Sequence, residues 1–255
     1  MSSTSAITIC PSNAAFVAQA KSLAQRYQLT YSGDILDNAY QLRVTTQGLA
    51  FFSPELGNPI TIDFTQGKSA HRRQYGGGRG QALAKAIGLK KGVTPSVIDA
   101  TAGYGQDAFV LATLGCQMIL LERNPILAAL LEDGLIRAEA DSTTSNISQQ
   151  MRVYHRDASD YLQQLTSDHR PDVIYLDPMY PTRQKSALVK KEMQLLHYLV
   201  GADIGSENLL AIARKTAKKR VVVKRPKSAQ PIMGDTPTTV IESKNTRYDV
   251  YIMTS

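Results

Sequence analysis

The chain has 255 residues, a formal net charge of +7 and a pI near 9.3, so it is long enough to bury a full core and is biased toward polyanionic partners. Its two cysteines, Cys10 and Cys116, form no Cys-x-x-Cys pair and its four histidines lack metal-ligand spacing, which speaks against a disulfide framework or a bound metal and for a reduced compartment. Residues 1–5 show neither a basic start nor a long apolar stretch, so no signal peptide or membrane span is expected and the cytoplasm is the expected location.

Residues 1–66 read as a small N-terminal α+β subdomain. A strand from Ile7 to Cys10 precedes an amphipathic helix from Asn13 to Tyr27, and strands are expected at Tyr40 to Thr46, Leu49 to Phe52 and Ile60 to Phe64. Their alternation of apolar and polar residues suits a sheet with one wet face. Residues 67–95 form a basic, glycine-rich linker and a helix from Gln81 to Ile87. The linker carries Arg72, Arg73 and Arg79 around Gly76-Gly77-Gly78. No Gly-Lys-Ser/Thr follows, so this is not a Walker A loop; its amides either cup a phosphate or serve as a hinge.

From Ser96 onward the pattern alternates strand and helix. Strands are expected at 97–100, 117–121, 152–155, 173–176, 220–224, 238–242 and 248–253, with helices at 107–114, 125–140, 158–166, 186–199 and 206–218. That alternation predicts a parallel sheet covered on both faces. Only Glu242 to Arg247 separate the last two strands, too few residues for a parallel crossover, so a terminal antiparallel hairpin is expected. The fold class is α/β: a Rossmann-like class I methyltransferase domain over 96–255, with a seven-stranded, mostly parallel sheet.

The first strand leads into Asp99-Ala100-Thr101-Ala102-Gly103-Tyr104-Gly105-Gln106-Asp107. Glycines after a strand let the backbone approach a ligand, and the next helix offers its first amides to it. The second strand ends in Glu122, placed to accept hydrogen bonds from a ribose diol. Gly103-x-Gly105-x-x-Ala108 also satisfies a loose dinucleotide fingerprint, so a nicotinamide oxidoreductase is one alternative. Two features favour S-adenosylmethionine. Asp99 is placed to receive an ammonium group, and Asp177-Pro178-Met179-Tyr180 closes the apolar run Val173 to Leu176 with a carboxylate, a rigid turn and an aromatic ring. That cluster suits an exocyclic amine. Asp177 and the Pro178 carbonyl would accept its two N–H groups while Tyr180 stacks on the base. Tyr180 would otherwise be a core aromatic.

Basic residues recur near these motifs. Eight lie between Arg214 and Lys227 with no acidic residue among them, Lys224 and Arg225 included, and a further group comprises Lys185, Lys190 and Lys191. Together with Arg72, Arg73 and Arg79 they suggest a nucleic-acid substrate.

These stretches resemble the RsmJ family, the ribosomal small-subunit RNA guanine-N2 methyltransferases. The resemblance is carried by Ala70-His71-Arg72-Arg73, Gly76-Gly77-Gly78-Arg79-Gly80, Asp99 to Gly103, Leu121-Glu122-Arg123-Asn124-Pro125, Tyr175-Leu176-Asp177-Pro178-Met179, Gln184 to Met193 and Val221-Val222-Val223-Lys224-Arg225-Pro226. It implies methyl transfer from S-adenosylmethionine to N2 of one guanine in 16S ribosomal RNA, G1516. It further implies cofactor contacts at Gln106, Asp107, Glu122, Arg123, Asp157, Ala158 and Asp177, and action on 16S RNA or the small subunit; a monomer is expected. Against the wider methyltransferase pattern, Thr101 replaces the first glycine of Asp-x-Gly-x-Gly-x-Gly and Met179 replaces the second proline of Asp-Pro-Pro-Tyr. The other readings left open are an adenine-N6 or other amine methyltransferase and a non-enzymatic ribosomal RNA-binding assembly factor.

Overall fold

The computed structural model describes residues 7–54, 58–67, 78–178, 199, 205–232 and 236–253. Its larger sheet has seven strands: β5 (Val97–Asp99), β6 (Met118–Glu122), β7 (Met151–His155), β8 (Val173–Leu176), β9 (Arg220–Pro226), β10 (Thr239–Glu242) and β11 (Thr246–Ile252). Their spatial order is β10-β11-β9-β8-β5-β6-β7. Only β11 runs against its neighbours, pairing antiparallel with both β9 and β10, which is the expected terminal hairpin.

Burial on both faces follows from the period of two along each strand. Val97, Tyr175 and Val222 point into one apolar core, whereas Ile98, Ile174, Leu176, Val221 and Val223 point into the other. The crossover helices supply the rest: α3 (Gln106–Thr113), α4 (Pro125–Ala140), α6 (Ala158–Gln163) and α7 (Ser206–Thr216), with the short α5 (Ser145–Ser148) between α4 and β7. Helix α4 starts where the sequence says it should. Asn124 accepts the N–H groups of Ile126 and Leu127 at 3.0 and 3.2 Å, and Pro125 takes the first helical position, where no N–H is needed. The helix expected at 186–199 lies outside the described residues except for Leu199, which is helical.

The N-terminal sheet comprises β1 (Thr8–Pro11), β2 (Thr30–Tyr31), β3 (Gln41–Thr45) and β4 (Gly48–Phe52) in the order β2-β1-β3-β4. Helix α1 (Val17–Tyr27) follows a 3-10 turn that Asn13 caps, and α2 (Ala82–Ile87) precedes β5. Two expectations differ. No wet face runs through the middle of this sheet, because Leu49, Ala50 and Phe51 are buried in succession. Nor do residues 60–64 form a strand; only Ile60 bridges to Phe51. Asp63 turns the chain there by accepting the N–H groups of Thr65 and Gln66, and the Arg137 guanidinium takes the Ile62 carbonyl at 2.5 Å. Ile62 and Phe64 therefore dock sideways, with the Phe64 ring stacked 4.7 Å from Phe109 of α3. One apolar cluster joins Ile9, Leu42 and Phe51 to Leu83, Phe109 and Leu131.

Candidate functional site

In this topology the chain leaves β5 toward β6 and β7 on one side and returns to β8 and β9 on the other. A crevice at the carboxyl ends of the strands opens where the order reverses. Three acidic residues stand there: Asp99 ends β5, Glu122 ends β6 and Asp177 follows β8.

Asp99 is only 3% exposed, and its Oδ1 accepts the Thr101 N–H at 3.1 Å. Burial pushes its carboxyl up to about 8, the Thr101 amide opposes this, and the charges of Asp107 and Asp177 add to it. Glu122 is 6% exposed. Its Oε2 accepts the Gly103 N–H at 2.9 Å and its Oε1 the Asn124 N–H at 2.8 Å. Burial raises its pKa while those two amides pull it down. Each oxygen retains acceptor capacity, so the carboxylate is held in plane with both oxygens able to receive a further donor. Gly103 reaches Glu122 from a left-handed turn at φ 53°.

Gly105 has a different reason to be glycine. Its φ is +66°, and an added Cβ would come within 2.7 Å of Leu131 Cδ1 and 3.3 Å of both Leu120 Cδ2 and Phe64 Cζ. The side the missing Cβ would fill is packed protein. Gly105 begins α3, accepting the Phe109 N–H at 2.8 Å.

The Asp177 turn is tied to this loop. Its N–H donates to Thr101 Oγ1 at 2.6 Å, so the threonine that replaces a glycine supplies an acceptor that glycine lacks. On the same face, the Lys224 ammonium bridges Asp177 Oδ2 and Asp107 Oδ2, both at 2.8 Å, and the Tyr175 hydroxyl donates to Asp107 Oδ2 at 2.7 Å. Burial alone would lower the Lys224 ammonium, but the two carboxylates outweigh it and hold it above its ordinary value. Asp177 is pushed upward by burial, with Lys224 opposing and Asp107 reinforcing. Tyr175 is driven far up by burial and the surrounding carboxylates; its hydroxyl stays a donor.

The remaining residues singled out from the sequence fall as follows. Gln106 is exposed at the start of α3, while Asp107 points inward to Tyr175 and Lys224. Arg123 is exposed, and its carbonyl meets His155 Nε2 at 3.2 Å. Asp157 caps α6 by accepting the N–H groups of Ser159 and Asp160 through Oδ1, with Ala158 buried behind it. Pro178 is buried. Tyr180, Arg72, Arg73, Lys185, Lys190 and Lys191 lie outside the described residues.

The three described members of the expected RNA-contacting set each have partners within the protein. Arg79 donates to the carbonyls of Lys90 and Leu114 at 2.6 and 3.2 Å, fastening the α2 segment to the end of α3. Arg225 is 7% exposed and donates to the Gln230 carbonyl. Lys224 is occupied by its carboxylates. Nor is the run from Arg214 to Lys227 one surface. Lys218, Lys219 and Arg220 lie at the start of β9 and Arg225 and Lys227 at its end, about 20 Å apart for a seven-residue strand. Only the latter end lies at the crevice.

Thr101 and Tyr175 are site residues to which the sequence assigns no role, and Lys224 is expected at the RNA rather than beside Asp177. Lys224 carried a legible signal. Like Asp99, Glu122 and Asp177, it is a charge that closes an apolar run, Val221 to Val223, at a carboxyl end of a parallel strand.

Among the described residues, no helix is long and apolar enough to cross a membrane. A family model for SAM-dependent methyltransferases matches residues 22–253, which decides between the two cofactors the glycine motif left open. A ribosomal RNA small subunit methyltransferase J from Shewanella amazonensis is 56% identical over 200 residues, 78% of this chain and 79% of that protein. One from Chromohalobacter salexigens is 52% identical over 218 residues, 84% and 85% of the two chains. The crystal structure of a SAM-dependent methyltransferase from Neisseria gonorrhoeae superposes with a TM-score of 0.77 at 33% identity, covering 96% of this chain and 95% of that one.

Proposed function

The chain belongs to the ribosomal RNA small subunit methyltransferase J family, and on that premise we propose that it methylates the exocyclic N2 amine of one guanine in 16S ribosomal RNA, G1516, using S-adenosylmethionine. The observation that carries the reading is the junction of Asp177 with Thr101 and Lys224, which sets a carboxylate at the crevice between the tips of β5 and β8.

The residues fit this cofactor. Asp99 is a buried carboxyl with one oxygen, Oδ2, that no described side chain or amide occupies, and an incoming ammonium would compensate it. Glu122 is held by two amides with acceptor capacity toward a diol. Asp157 and Ala158 follow the carboxyl end of β7, where they would meet the adenine. When bound, the cofactor supplies an electrophilic methyl group on a sulfonium.

The protein's part is positional and electrostatic. Guanine N2 is a weak nucleophile because its lone pair is delocalised into the ring. Asp177 Oδ2 is fixed by Lys224, and Oδ1 has no partner among the described residues, so Oδ1 is the acceptor for one N2–H. The Pro178 carbonyl takes the other, and Tyr180 stacks on the base. Accepting both protons concentrates the lone pair on nitrogen and stabilises the positive charge that grows there during in-line attack. A stacked target guanine has to be turned out of its helix to reach this point. The enzyme is read as a cytoplasmic monomer.

The test is methyl transfer in vitro from labelled S-adenosylmethionine to 16S RNA or small subunits, followed by digestion to nucleosides. Label in N2-methylguanosine supports the reading. Label in N6-methyladenosine, or none with either substrate, overturns it.

A further inference from the structure

We propose that Lys224 is a positioning residue for methyl transfer that acts through Asp177, and that it is not a contact to the RNA backbone. This rests on the assignment of Asp177 as the acceptor of the amine.

Strand register makes the juxtaposition a property of the fold. Leu176 of β8 pairs with Val223 of β9 in parallel, so the next residues, Asp177 and Lys224, stand level where the two strands emerge. The period of two puts Tyr175, Asp177 and Lys224 on one face, the face that α3 covers with Asp107. The ammonium lies 2.8 Å from each carboxylate. Among the described residues, the ionisable groups around Asp177 are Lys224 on β9, Asp107 on α3, Asp99 at the end of β5 and Tyr175 on β8, with Tyr248 opposite Lys224 on β11. Lys224 is the one cation in that set. Three carboxyl groups share it.

Two consequences follow for the reaction. The ammonium fixes Oδ2, which leaves Oδ1 as the oxygen available to the substrate amine and sets the carboxylate plane. Without Lys224, Asp177 loses the cation that opposes its burial and the neighbouring charge of Asp107, both of which push its carboxyl toward the protonated form. A protonated Asp177 cannot accept an N2–H through the oxygen that carries the proton. Lys224 therefore acts on both the direction and the charge of the acceptor.

The experiment compares wild type, Lys224→Met, Lys224→Arg, Asp177→Asn and the Asp177→Asn, Lys224→Met pair in steady-state methylation across pH and salt. For Lys224→Met the expected result is a kcat lower by about tenfold to a hundredfold, the range for losing one charge-assisted partner. Its KM for RNA and its salt dependence stay near wild type. The acidic limb of its pH profile moves up by about one unit or more. Lys224→Arg keeps the charge and returns the limb to its original place, with partial recovery of rate. Adding Lys224→Met to Asp177→Asn costs little more, because the residue it acts through is already disabled.

Three results would overturn the proposal: a raised KM with kcat held and a salt slope reduced by about one, the mark of a phosphate contact; an unmoved pH profile; or full additivity with Asp177→Asn. If Asp177→Asn itself methylates at a near-normal rate, the acceptor assignment has failed; if it is slow and Lys224→Met is not, only the present proposal has. Should Lys224→Met not fold, the Asp107→Asn, Lys224→Met pair removes one of the two carboxylates that Lys224 bridges, and it has to be slower than Asp107→Asn alone.

Discussion

Substituting Gly105 by alanine separates two reasons a glycine can stand beside a cofactor. If the residue is there to let a ligand approach, alanine should leave the fold intact and abolish S-adenosylmethionine binding. The structure gives the opposite expectation. At φ +66° a residue with a Cβ sits in the left-handed region, which costs about 1–2 kcal/mol. The new methyl would lie 2.7 Å from Leu131 Cδ1, with Leu120 and Phe64 at 3.3 Å. Leu131 and Leu120 are fully buried and Phe64 is 1% exposed, so none can swing into solvent; overpacking of this kind costs about 1–3 kcal/mol. The sum is about 2–5 kcal/mol, which for a chain of this size lowers the melting temperature by about 4–20 °C. The assay is thermal and urea unfolding followed by circular dichroism, with cofactor affinity measured on the folded protein. Leu131→Ala sharpens it. In that background the clash has gone, and Gly105→Ala should cost only the backbone part, about 1–2 kcal/mol. A Gly105→Ala protein within about 0.5 kcal/mol of wild type that no longer binds cofactor would refute the packing argument, as would strict additivity with Leu131→Ala.

Thr101→Val should leave the Asp177 N–H without its acceptor, a loss worth about 1–3 kcal/mol. Because that bond orients the turn, methylation should fall about tenfold or more while Thr101→Ser, which keeps the hydroxyl, stays near wild type; equal rates for Val and Ser would remove Thr101 from the argument. Asp99 gives a pH signature. Its carboxyl is held at about 8 against an ordinary 3.8, so between those values the folded protein binds the extra proton. Its contribution to stability is fully present below the unfolded pKa and is lost as pH rises toward 8. Urea unfolding without cofactor should accordingly show higher stability at pH 6 than at pH 8, and Asp99→Asn should flatten that slope; an identical slope in the variant would place the titration elsewhere. S-adenosylmethionine binding, which brings an ammonium, should release a proton near pH 7, detectable as a buffer-dependent heat in calorimetry.

How far the sequence could be read depended on whether the signal was local. Helix α4 was predicted over 125–140 and is found at Pro125–Ala140, because Asn124 and Pro125 act within a few residues of the helix they start. The buried strand Val173–Leu176 was equally legible, bounded by turn residues on both sides. Residues 60–64 were not. Ile60, Ile62 and Phe64 have a strand's spacing, yet pairing stops at the Ile60–Phe51 bridge, where Arg137 donates to the Ile62 carbonyl and Asp63 makes a turn, neither of which periodicity registers. The packing need at Gly105 comes from Leu131 and Phe64, distant in sequence. Charge counted along the chain puts Lys224 in a basic run, whereas Asp177 meets it through the register of β8 on β9 and Asp107 reaches it from α3. The strand-end carboxylates could be anticipated; the hydrogen bonds that orient them, from Thr101, Gly103 and Asn124, required the folded loop.

The most direct measurement is mass mapping of 16S ribosomal RNA from a strain lacking this protein, complemented with the wild-type chain or with Asp177→Asn. The expected result is one N2-methylguanine that disappears in the deletion, returns with the wild-type chain and stays absent, or falls a hundredfold or more in rate of appearance, with Asp177→Asn, about what losing one electrostatic partner costs. An unchanged methylation pattern in the deletion strain, or full restoration by Asp177→Asn at matched expression, would contradict the assignment of that carboxylate to the reaction.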